Sequence, residues 1–163
     1  MDERMQKGKK TYRWIALLFV MGQLAFSLVS CSDFHTSDNG RLDGRWQLTQ
    51  TDTLANGRSE DMRARMIFWS VQSRLLKMED LHDLNVNRCH VGIFFHFEQK
   101  DGRLRVYEPV ADHREISDSI VTSVETLRFY GLEHLDETFN ILQLEDSRMT
   151  LENKSLRMYF RKY

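Results

Sequence analysis

Two cysteines and six histidines are the side chains of this 163-residue sequence best suited to chemistry, through thiol reactivity or metal ligation. The thiols are Cys31 and Cys89. His90 and His96 share one face of an alternating segment, but six residues of extended chain hold them roughly 20 Å apart, too far for a single ion. His113 follows Asp112 and His134 follows Glu133 in segments with no regular spacing. The sequence contains no glycine-rich phosphate loop, no His-Glu-x-x-His, no Cys-x-x-Cys and no Gly-x-Ser-x-Gly. Scattered Ser, His and Asp residues do not make a triad, because a triad is a geometry. The reading is a non-enzyme with no catalytic residue, no metal site and no cofactor.

The surroundings of Cys31 give that thiol a different chemistry. Arg4, Lys7, Lys9, Lys10 and Arg13 precede an apolar run from Trp14 to Val29, which ends in Leu28-Val29-Ser30-Cys31. A basic start, an apolar middle and a small residue before the cut are the parts of a secretory signal. The run is short for a retained membrane helix, and Gln23 interrupts it. The Leu-Val-Ser-Cys ending resembles the lipobox of bacterial lipoproteins, in which the cysteine is acylated and becomes the new N-terminus. That resemblance implies that residues 1–30 are a cleaved lipoprotein signal peptide, and that fatty acyl chains such as palmitate on Cys31 hold the protein to a membrane. The implied address is the bacterial cell envelope, with the outer membrane preferred to the inner. An acylated Cys31 has no thiol left for a disulfide, so Cys89 is read as a small buried residue at the start of a strand.

Removal of residues 1–30 leaves 133 residues, enough for one domain. Lys and Arg fall from 23 to 18 and Asp and Glu from 24 to 22, giving a mature net charge near −4. A mildly acidic domain has no electrostatic footprint for nucleic acid. Residues 32–41 are polar apart from Phe34, so residues 31–41 read as the lipidated cysteine and a flexible tether. The folded domain is placed at 42–163.

The dominant pattern in that domain is short runs of period-two alternation separated by turn residues, which argues for strands. Strands are expected at 44–51, 64–71, 74–80, 89–98, 103–108, 138–145, 147–152 and 155–162. The fourth is the clearest, with Cys89, Val91, Ile93, Phe95 and Phe97 alternating against His90, Gly92, Phe94, His96 and Glu98. Asp101-Gly102 suits a two-residue hairpin turn with positive φ at both positions. Pro109 is taken as the exit from the fifth strand. Thr122-Ser123-Val124-Glu125 fits a capping box, and Gly131 fits a left-handed helix end. A short helix over 123–130 is therefore expected between the fifth and sixth strands.

Eight antiparallel strands in meander order remove their edges by closing into an up-and-down barrel, so the fold class is all-β with one short helix. Leu42-Asp43-Gly44-Arg45-Trp46 is similar to the Gly-x-Trp opening of lipocalins. Together with the strand order and the ending Ser155–Lys162, it resembles the small lipocalin-like, calycin-type lipoproteins of Bacteroidota over residues 42–163. Trp46 is then the core residue plugging the closed end. With Trp69, Phe95, Phe97, Phe139 and Phe160 it makes the candidate barrel lining. Phe68 and Phe94 fall on outer or ambiguous faces. They are either covered by the short helix, which is the preferred reading, or exposed as a patch for a protein partner. The implied function is a membrane-anchored binding module for a small hydrophobic ligand. The alternative is a non-enzymatic accessory or scaffold subunit of an envelope complex, its barrel filled by its own side chains.

Overall fold

The computed structural model describes residues 37–81, 92–112 and 118–163. Cys31, Cys89, His90 and His113, and with them the signal, acylation and thiol readings, lie outside the described residues. The described residues form ten strands: β1 (Gly44–Thr53), β2 (Arg58–Asp61), β3 (Ile67–Gln72), β4 (Leu75–Asp80), β5 (Ile93–Lys100), β6 (Arg103–Ala111), β7 (Ser119–Ile120), β8 (Glu137–Leu144), β9 (Arg148–Glu152) and β10 (Leu156–Lys162). Eight of them close a ring in the order β1-β3-β4-β5-β6-β8-β9-β10, with β10 pairing back onto β1 and every pair antiparallel. This is the expected eight-stranded antiparallel barrel. The two extra strands are appendages, β2 on the far half of β1 and β7 on the end of β6.

Alternation sets which side chains point inward. Trp46 and Leu48 on β1, Trp69 and Val71 on β3, and Leu76 and Met78 on β4 are all buried, as are Leu104 and Val106 on β6. The outward neighbours are mostly half-buried or exposed and carry the charge. Asp101 and Gly102 have φ of +51° and +72°, the expected pair of positive values in the β5–β6 turn.

The second ring strand starts at Ile67, later than the expected residue 64. Arg63–Arg65 form a 3-10 turn, and Met66 takes a left-handed conformation with φ +49°. Arg63-Ala64-Arg65 has no β-branched residue, and the Gln47 amide holds the turn by donating to the Arg63 carbonyl at 3.2 Å. Pro109 does not end its strand. β6 continues to Ala111, and Pro109 sits buried at a bulge where Phe94 pairs with Val110 but His96 with Tyr107. A bulge interrupts the ladder, so the missing N–H of proline costs no pairing there. The preceding Glu108 carries the backbone turn, at φ +53°.

The helix, α1 (Glu125–Arg128), is a single turn, shorter than the expected 123–130. The expected cap from Thr122 is replaced by Ser123, whose Oγ accepts from the Glu125 amide at 3.3 Å. At the other end Gly131 has φ +90°. Its amide donates to Arg128 and the Leu132 amide to Leu127, the paired bonds of a Schellman ending.

Candidate binding site

The barrel has two unlike ends. At one, a 3-10 turn (Gly40–Leu42) tucks Leu42 into the core, and the Trp46 indole donates to the Leu42 carbonyl at 2.8 Å. The β3–β4, β5–β6 and β8–β9 hairpins lie at this closed end, because β3, β5 and β8 run toward it from their pairings. A polar clamp adds to the closure. Asp43 accepts from the Asn39 amide at 3.0 Å and from the Ser37 hydroxyl. The Ser37 oxygen accepts from the Ser73 amide at 2.7 Å, and Asn39 Nδ2 donates to the Ser73 carbonyl at 2.8 Å. Burial pushes the Asp43 carboxyl up, but the hydrogen bonds from Ser37 and Asn39 outweigh it and hold it below the usual carboxylate range. Ser37 and Asn39, ahead of Leu42 in the chain, are thus tied to the β3–β4 turn, which supplies partners for their polar groups.

At the opposite end the chain between β7 and β8 forms a lid. Leu127, Tyr130 and Leu132 enter the core and are fully buried. A Cβ on Gly131 would press on the Met158 sulfur and push that side chain aside, and the φ of +90° favours glycine, so glycine suits the close seat of the lid on β10. Just past it Glu137, buried, accepts from the Glu133 and His134 amides at 3.0 Å each. The Ser155 hydroxyl donates to Glu133 at 2.7 Å, tying the lid to the β9–β10 turn. A cleft of about 580 Å³ opens here, lined by Arg128, Gly131, Leu132, Glu133, His134 and Leu156. None of these six is Phe, Tyr or Trp, and hydrophobic alternation points only to Leu156 among them; the sequence signals for the lid are the capping-box pattern Thr122–Glu125 and the glycine at the helix end.

Between the two ends lie the residues expected to line the barrel. Trp46, Trp69, Phe95, Phe139 and Phe160 are buried in one core, and Phe97 packs partly buried against it. Trp69 is the hub. Its ring meets Phe160 at 5.0 Å and Phe139 edge-on at 5.6 Å, and its backbone pairs with Trp46. The Trp69 Nε1 atom is buried and has no hydrogen-bond partner among the described residues. Such a donor in an apolar interior costs about 1–3 kcal/mol, which an acceptor beside it would recover.

Phe68 and Phe94 do not form an exposed patch, nor does α1 cover them. Phe68 points outward but is fully buried, with the Arg45 guanidinium 4.2 Å above its ring and Tyr163 edge-on at 5.2 Å. The Tyr163 amide donates to the Arg45 carbonyl at 2.8 Å, which brings the residue after β10 over Phe68. Phe94 is half-buried beside the Lys77 ammonium, 5.7 Å from its ring. The cover comes from side chains of neighbouring strands, since α1 is engaged at the barrel end.

A closed eight-stranded meander with a plugging Trp after Gly44 and a lid at the far end defines a lipocalin-like barrel. The chain belongs to that family: the family model described as a lipocalin-like domain matches residues 25–163. The fold is similar to the crystal structure of a lipocalin-like protein from Bacteroides uniformis, at 20% identity and a TM-score of 0.57, covering 76% of this chain and 100% of that one. It is also similar to the crystal structure of an uncharacterized protein from Bacteroides eggerthii, at 18% identity and a TM-score of 0.53, covering 74% and 98%. Among curated proteins none matches this chain.

Proposed function

We propose that this protein is a non-enzymatic binding module of the bacterial cell envelope, moored by acyl chains on Cys31, preferentially to the outer membrane. It takes a small hydrophobic ligand bearing one hydrogen-bond acceptor. The observation that carries this reading is the orphaned Trp69 Nε1 in the middle of an aromatic core. The ligand's acceptor meets that donor, and its apolar body takes the space that Leu127, Tyr130 and Leu132 fill when the lid is down. The cleft beside Leu132 and Leu156 is the entry.

The test is a fluorescent fatty-acid titration of the domain from Ser37 to Tyr163. The expected result is saturable uptake with one site, weakened about tenfold by Trp69→Phe, the factor one lost hydrogen bond supplies. Absence of saturable uptake would overturn the carrier reading. A second reading, a filled barrel serving as a scaffold subunit, is favoured by the Trp69, Phe139 and Phe160 packing, and it predicts no uptake. The anchor is tested separately. Cys31→Ala is expected to abolish palmitate labelling and sedimentation with membranes, and persistence of both would sink it.

A further inference from the structure

We propose that the closed end of the barrel is a docking surface for anionic phospholipid headgroups, so that the protein stands on its membrane with the lid facing away. The inference rests on the proposed acylation of Cys31. Three observations carry it. The first is charge. The closed end comprises residues 37–45, the three hairpins with their flanking residues and the end of β10. It holds eight of the sixteen Lys and Arg among the described residues but five of the nineteen Asp and Glu. The domain is acidic, yet this end is cationic. Arg41, Arg74, Lys100, Arg103 and Arg148 on it are exposed. Arg41 reaches Asp146 at 3.3 Å with both side chains largely exposed, a pair worth little that headgroups can replace.

The second observation is apolar. Leu75, Leu142 and Tyr163 at this end are 44%, 50% and 69% exposed. Leu142 is turned out by the bulge that shifts register between Ile141 and Gln143. Aliphatic and tyrosine side chains among basic residues suit the boundary between headgroups and acyl chains. The far end also exposes Leu54, Leu81 and Ile120, but its excess of carboxylates is repelled by anionic lipid.

The third is reach. Ser37 is fastened to the β3–β4 turn at the closed end. Six residue steps separate it from Cys31, a span of at most roughly 20 Å. A tilted strand of the length of β1, ten residues, makes a barrel roughly 25 Å tall, with the lid beyond. A chain acylated at Cys31 can lay its closed end on the bilayer; it is too short to let the lid end reach it.

The test uses the full chain as processed by the expressing cells, reconstituted into vesicles of phosphatidylcholine alone or mixed with phosphatidylglycerol. Lysines are footprinted with a membrane-impermeant acylating reagent and read by mass spectrometry. Labelling of Lys100 and Lys162 is expected to slow about fivefold or more on the anionic vesicles, the factor one basic residue at such a surface is worth. Lys154, at the other end, is expected to keep its rate. Arg74→Glu with Arg148→Glu, both exposed and outside the core, should remove the protection. Equal rates at Lys100 in the two lipids, or protection of Lys154 instead, would overturn the proposal. The same spectra report acylation of Cys31. If it is absent, the anchor reading falls by itself, and salt-sensitive binding of the unanchored chain to phosphatidylglycerol vesicles then decides: binding sustains the docking surface and no binding overturns it.

Discussion

Asp43 shows how one carboxylate can hold a chain end. It stands in the Gly-x-Trp opening, and it accepts from Ser37 and Asn39. Its folded pKa is depressed, so its contribution is present above the unfolded value near 3.8 and is lost as pH falls through the lower folded value. Asp43→Asn is expected to cost about 1–2 kcal/mol at neutral pH. The difference from the parent should shrink toward zero below pH 3.8, and urea melts at the two pH values check it. Inward residues such as Trp46 were legible from period two, because an apolar residue between polar neighbours has one stable side, whereas Trp69 beside Phe68 was not assigned by alternation alone. The cover over Phe68 was not legible. It depends on Tyr163, 95 positions away in the sequence, arriving beside Arg45.

Elements differ in how plainly their residues declare them. Most ring strands were legible because they alternate, and β3 from its continuous apolar run Ile67-Phe68-Trp69. β2 was not, since Arg58-Ser59-Glu60-Asp61 has no apolar residue and its register comes from β1. β7 has two residues and no pattern to read. Pro109 was misleading because a bulge, a product of pairing with β5, makes room for it inside β6. The helix was foreseen from the capping-box pattern Thr122–Glu125 and from Gly131, whose φ of +90° and closeness to Met158 fix how the lid seats on β10. Gly131→Ala is expected to destabilise the fold by about 1–2 kcal/mol, the cost of a left-handed conformation for a residue with a Cβ. Thermal melts check this. Hydrogen exchange should show the loss as faster exchange at the amides of Leu127, Tyr130 and Leu132, with β3 and β4 unchanged.

At the scale of the whole molecule the barrel depends on the seam where β10 returns to β1. Phe160 belongs to that seam and to the Trp69 contact. Phe160→Ala is expected to cost about 3–5 kcal/mol through lost burial and the cavity left behind. A chemical denaturation midpoint measures it, and a change under 1 kcal/mol would mean the core repacks around the gap. The sequence by itself determined the class of the fold, the eight strands of its ring and most of its inward face, because alternation and turn chemistry act within a few residues. The tertiary structure alone decided the clamp at Ser37, the lid on Met158, the orphaned indole and the gathering of cations at one end. Each of these joins positions far apart in the chain, and local pattern carries no information about which distant residues closure will bring together.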